Sequence, residues 1–126
     1  MALPHAHALD VISVRALGDA LHTAVSTSLL RSAGVQLMHL VLPQHHDQPL
    51  HHVDATCIVH CLEGQVDVVM PGDTRRLNSA ELLVLPPSQE HSLRARTDAA
   101  VLVTLIRHGD ALTGGPAGAS AATAAS

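Results

Sequence analysis

The sequence predicts an all-β fold, a sandwich or closed barrel of short strands. Apolar runs of four to seven residues recur at regular spacing through the second half of the chain. Each run is cut by a turn-forming cluster such as Glu63-Gly64, Pro71-Gly72-Asp73 or Asn78-Ser79-Ala80-Glu81. The chain has 126 residues, enough for one core but not two. With no Phe, Tyr or Trp, that core must be built from Leu, Val, Ile, Ala and Met.

In chain order, residues 1–9 predict a loosely held arm and Asp10–Val14 an edge strand. Leu17, Leu21 and Val25 share one side of a helical spacing, so Leu17–Thr27 predicts a short or irregular helical lead-in. Ser28–Ser32 and Val35–Leu42 form a hairpin about Ala33-Gly34, and Pro43–Pro49 is a polar loop. From His51 to His91 the strands are TCIVHCL, VDVVM, a short piece ending at Leu77, and LLVL before Pro86-Pro87. In Ser92–Arg96, Leu93 and Ala95 alternate with outward arginines. Val101–Ile106 is apolar on both faces and should be a central strand. Gly109 onward is Gly/Ala/Ser-rich and reads as a flexible tail. The expected organisation is therefore an arm (1–9), a barrel (10–108) and a tail (109–126).

Composition narrows the partners. Seven arginines and no lysine face eleven acidic residues, a formal net charge of −4, and no basic stripe appears. Together with the missing aromatic platforms, this argues against nucleic acid, anionic membrane and carbohydrate as partners. The N-terminus has no positively charged stretch followed by an apolar run, so no secretory signal is expected, and Val35–Leu42 is too short to span a bilayer. Cys57 and Cys61, four residues apart on one strand, have Cα atoms roughly 13 Å apart, beyond disulfide reach and unsuited to ligating one ion together. Free buried thiols suit a cytoplasmic protein.

The order of these pieces resembles the cupin superfamily, small β-barrels marked by two motifs. The first is Gly, five residues, His-x-His, three or four residues, Glu, six residues, Gly. Counting back from Gly64 places Cys57 at the Glu position and His52 (or His51, in the shorter frame) as the one surviving histidine, with Gln44 at the leading Gly. The second motif is better kept: Pro86-Pro87-Ser88-Gln89-Glu90-His91 matches Pro-x-Gly-x-x-His, with Ser88 in the Gly place. Ala80 and Ala95 replace its leading Gly and closing Asn. The resemblance covers about Val35 to Ile106 and implies a cupin-type jelly-roll barrel.

In that family three histidines and a glutamate hold a divalent metal, where converging imidazoles and a carboxylate leave open positions for a substrate. The resemblance carries over His52 or His51, His91 and, in place of the carboxylate, Cys57, as ligands for one ion of zinc, iron, manganese or nickel. His51 and His52 are adjacent, so on a strand only one can face inward. Cys61 reads as a small buried hydrophobe, His60 points outward, and His45-His46 lie in an exposed loop. The leading reading is a small-molecule-binding barrel with this reduced His/Cys site, forming a homodimer as such barrels commonly do. The rival is a metal-dependent cupin enzyme, a dioxygenase or isomerase, with His45 or His46 folding in as a ligand. A third reading is a metal-free regulatory or structural barrel.

Overall fold

In the computed structural model, which describes residues 6–49 and 54–107, nine strands form two antiparallel sheets. They are β1 (Thr27–Arg31), β2 (Val35–Leu42), β3 (Asp47–Pro49), β4 (Ala55–Glu63), β5 (Val66–Met70), β6 (Asp73–Leu77), β7 (Glu81–Leu85), β8 (Ser92–Ala95) and β9 (Ala99–Arg107). One sheet has the order β1-β2-β9-β4-β7 and the other β3-β8-β5-β6. Non-consecutive neighbours alternate between the sheets, which is the jelly-roll arrangement that limits open edges. No helix among the described residues is long and apolar enough to cross a membrane.

β9 lies in the middle of the five-stranded sheet, paired with β2 from Val35↔Ile106 to Leu42↔Ala99 and with β4 from Ala55↔Arg107 to Glu63↔Ala100. Alternation along β4 buries Ala55, Cys57, Val59 and Cys61 and leaves Thr56, Ile58 and His60 on the outer face. From the other sheet, Val66 and Val68 of β5 and Leu93 and Ala95 of β8 meet them. The core is a layer of branched and small aliphatic side chains, as the missing aromatics require.

The expected strands from Thr56 to Ile106 are all present, with β9 central as its two apolar faces predicted. Two expectations need correction. Asp10–Val14 is not an edge strand: among the described residues of the lead-in the β1 edge is met at Ala6, whose N–H donates to the Leu29 carbonyl (2.8 Å). Glu63 instead draws the chain away, its carboxylate accepting from the N–H groups of Leu17 (2.6 Å) and Gly18 (3.2 Å). Between these anchors Ile12, Val14 and Leu17 are half-buried and Val11 and Arg15 exposed, so alternation in a strap imitates alternation in a strand. The second correction is in Pro43–Pro49, where Asp47–Pro49 forms β3 against β8. Proline is tolerated there because β3 is an edge strand. The helical lead-in is a single 3₁₀ segment, Gly18–Thr23. The expected arm lies mostly outside the described residues and the tail wholly so.

Backbone conformation ties the altered motif positions to the fold. Ala80 (φ 71°) and Ser88 (φ 67°), which stand where the cupin motif has glycine, both adopt the left-handed conformation that glycine accommodates without strain. The glycine-type turns are kept although two of the glycines are gone. Gly64, at φ +87°, is retained, and a Cβ there would meet the Asp98 carbonyl and Ala99 Cα (2.8 Å), both backbone.

Two outcomes follow for denaturant unfolding. Gly64→Ala should destabilise by roughly 2 kcal/mol or more, because it adds a backbone clash to an unfavourable φ. Ala80→Gly should stabilise by up to about 1 kcal/mol, relief of the left-handed penalty exceeding glycine's extra chain entropy.

Candidate functional site at the His91 end of the barrel

β7 ends at Leu85, and the chain turns through Pro86–Glu90 before β8. The Gln89 N–H donates to the Pro86 carbonyl (3.2 Å), and Ser88 takes the positive φ that closes this turn. His91 follows immediately and continues the inner face of Leu93 and Ala95, so its ring is delivered into the barrel and is 7% exposed.

The ring's hydrogen bonding fixes what it offers. His91 Nδ1 lies 2.9 Å from the Gln89 carbonyl oxygen. A carbonyl can only accept, so Nδ1 carries the proton, and in the neutral ring Nε2 carries a lone pair. Nε2 is buried and has no hydrogen-bond partner among the described residues. Leaving such an atom unpaired costs about 1–3 kcal/mol, a deficit that a bound donor or a metal ion would remove.

Cys57 sits opposite both Leu85 on β7 and Leu105 on β9, on the inner face of the sheet at the end where Leu85 hands over to the His91 turn. Burial pushes its thiol up to about 11, so at neutral pH it is a protonated small hydrophobe rather than a thiolate. Cys61 is likewise pushed up to about 11 by burial, with Glu81 and Glu63 adding to the effect, and its Sγ lies 3.4 Å from the Gly64 carbonyl oxygen. The other two predicted ligands, His51 and His52, lie outside the described residues. Among the described residues no group of three His, Cys, Asp or Glu could hold a metal ion.

His45 and His46 do not approach His91. The His45 N–H donates to the Ala95 carbonyl (2.9 Å) and the Ala95 N–H to the His46 carbonyl (3.0 Å). That pins them four residues along β8 from His91, roughly 13 Å away. A cleft of about 180 Å³, lined by Leu21, Ala24, Val41, Leu42, Pro43 and Asp98, also lies at this opposite end. Its one titratable group, Asp98, accepts from the Gln44 N–H (2.8 Å), so the cleft and the chemistry are at different ends of the barrel.

Two charged groups were not legible as sites from sequence. Asp67, 6% exposed on the outer side of β5, accepts from Arg76 Nε (2.9 Å) and lies 3.9 Å from Arg96. The Asp67 bond raises Arg76 further above its ordinary value. Glu63, described above, anchors the lead-in. On the outer face of the other sheet, burial lowers the pKa of His39, with nearby Glu63 partly opposing.

A model of the AraC-like ligand binding domain matches residues 33–121. No curated protein matches the chain. Among solved structures, a conserved protein of unknown function from Streptococcus pyogenes has 15% identity and TM-score 0.66, covering 86% of this chain and 96% of that one. A cupin protein from Desulfovibrio desulfuricans has 21% identity and TM-score 0.61, covering 82% and 96%. A transcriptional regulator of the HTH_3 family from Vibrio cholerae has 22% identity and TM-score 0.58, covering 67% of this chain and 50% of that one. At these identities the likeness is one of fold, and the fold is the cupin jelly roll.

His39 gives a signed pH dependence. Its folded pKa lies below the ordinary 6.5, so the unfolded chain takes up a proton that the folded chain resists. Its contribution is fully present above pH 6.5 and is lost as pH falls below that value. Thermal melting from pH 8 to pH 5 should therefore fall less steeply for His39→Gln than for the wild type.

Proposed function

The chain belongs to the AraC-like ligand binding domain family, and on that premise we propose that its barrel is a receptor for a small, mainly aliphatic organic molecule held at the His91 end. The observation that carries this reading is the buried, unpartnered Nε2 of His91. With Nδ1–H committed to Gln89, the neutral ring selects a ligand that presents a hydrogen-bond donor, such as a hydroxyl, an amide N–H or a protonated acid. The surrounding inner face supplies Cys57, Leu85, Leu93 and Leu105, which favour an aliphatic body. No aromatic ring is available to stack on a sugar or a base. The regulator from Vibrio cholerae, of which this barrel matches half, supports reading such a receptor as a sensing module.

The same lone pair is what a metal ligand presents, so a divalent ion is the second reading. The described residues do not make that site by themselves: they bring one imidazole and a neutral thiol to this end of the barrel. The ion would need His51 or His52 as further donors, and when bound it would supply Lewis acidity toward a ligand oxygen.

A thermal-shift screen of small aliphatic alcohols, amides and hydroxy acids tests the receptor reading. A ligand at 100 times its Kd stabilises the fold by about 2.7 kcal/mol, a shift of several degrees. In calorimetry His91→Ala should weaken that ligand about tenfold or more, whereas Asp98→Asn at the opposite end should leave it unchanged. Equal binding to wild type and His91→Ala would overturn the site. Elemental analysis of untagged protein tests the second reading: one zinc, iron, manganese or nickel ion per chain, lost in His91→Ala, would establish it, and no ion after reconstitution would remove it.

A further inference from the structure

Along β9 the inner row runs Ala99, Val101, Val103 and Leu105, all in the core, and alternation makes Arg107 its next member. The register agrees, setting Arg107 against Ala55, itself a core residue. Leu105 pairs with Cys57, so Arg107 stands about 6.7 Å further out along β9, at the same end of the barrel as His91. Gln36 lies opposite Leu105 on β2 and shares the inner face. Its Oε1 accepts from Arg107 Nη2 (3.3 Å). A guanidinium only donates, so the amide oxygen is the atom turned toward it and the amide NH2 is turned away as a further donor.

A second arginine joins this end. Arg31 lies opposite Gln36 on β1, on the same face, and is exposed where Arg107 is half-buried. Among the described residues the arginines in ion pairs are Arg75, Arg76, Arg94 and Arg96, whose partners are Asp47, Asp67 and Asp73. Arg31 and Arg107 are outside that set. The carboxylates next in sequence to Ala55 and His91, those of Asp54 and Glu90, are exposed and in no ion pair among the described residues. A chain of formal charge −4 thus gathers two guanidinium groups without a carboxylate partner at the end where His91 is buried.

We propose that the ligand of this end is a short aliphatic hydroxycarboxylate, and that Arg107 is the residue that recognises its carboxylate. The inference rests on the receptor reading and narrows it. The planar fork of Arg107 donates to the carboxylate, the ligand hydroxyl donates to His91 Nε2, and the carbon chain between them lies against Cys57 and Leu105. A neutral alcohol would satisfy His91 and leave Arg107 without an anion. A plain carboxylate would satisfy Arg107 and leave Nε2 unpaired. Hydroxyl and carboxylate in one molecule serve both groups. Arg31, being exposed, adds a salt-screened attraction rather than a fixed contact.

Calorimetry on the full chain at neutral pH tests this with three matched sets. They are hydroxycarboxylates of three to six carbons, the diols that carry a hydroxymethyl group in place of the carboxylate, and the acids that lack the hydroxyl. At least one hydroxycarboxylate should bind the wild type about tenfold or more tightly than either counterpart, and Arg107→Gln should remove its advantage over the diol. His91→Ala should instead remove its advantage over the plain acid, which separates the two contacts. Arg107→Lys, which keeps the charge and loses the fork, should retain part of the preference. The Arg107 N–H donates to the Gly34 carbonyl (2.8 Å) whatever the side chain, and thermal melting checks that each variant is folded. A preference for the hydroxycarboxylate that survives in Arg107→Gln overturns the inference, as does a wild type that binds no hydroxycarboxylate better than its diol. In both cases diol binding that is lost in His91→Ala leaves the receptor reading standing. A wild type that binds none of the three sets overturns the inference, and the receptor reading falls with it only if the alcohols and amides of the thermal-shift screen fail too.

Discussion

The double ladder of β9 is the constraint on which the rest of the structure depends. Strand β9 holds β2 on one side and β4 on the other over nearly its whole length, fixing which side chains of three strands face inward. Because side chains alternate, a one-residue slip would send Val59, Cys61, Val101 and Val103 to solvent and bring His60 and Leu102 into the core. The register also positions the candidate site. It sets Cys57 opposite Leu85 and Leu105, at the end of the barrel where His91 enters.

Within that frame the site depends on one carbonyl. The Gln89 oxygen accepts the Nδ1–H of His91, which leaves Nε2 a buried acceptor without a hydrogen-bond partner among the described residues. The turn that presents this carbonyl keeps the backbone of the glycine-containing motif while using Ser88 in the left-handed region. A residue in the left-handed region lies three positions before a buried nitrogen that has no partner among the described residues, and the proposed function reads the two together. Cys57 takes the place of a carboxylate with a thiol that burial keeps neutral. The site is less charged than the motif from which it departs, which favours a polar organic donor.

The sequence made most of the barrel legible, for physical reasons. Val101–Ile106 is apolar on both faces except at Thr104, the pattern of a central strand, and β9 lies between β2 and β4. Leu93 and Ala95 alternating with arginines assigned β8 and, by continuity, the inward direction of His91. Asp10–Val14 misled because alternation reports one covered side, not hydrogen bonding, and here the covered segment is a strap held by Glu63. β3 was hidden because Asp47, Gln48 and Pro49 are polar or lack a donor, and their pairing with β8 is a tertiary fact. His91 could be found by motif spacing, but its unpaired nitrogen could not: that depends on where the Gln89 carbonyl points, which no spacing encodes.

The most direct test of the account is the tautomeric state of His91, read from long-range proton–nitrogen spectra of ¹⁵N-labelled protein above pH 8 and assigned by comparison with His91→Gln. The account predicts a proton on Nδ1 and an unprotonated Nε2, whose resonance is the one that moves when a ligand enters the barrel. A proton on Nε2 would contradict it, because the buried acceptor on which the proposed function rests would not exist.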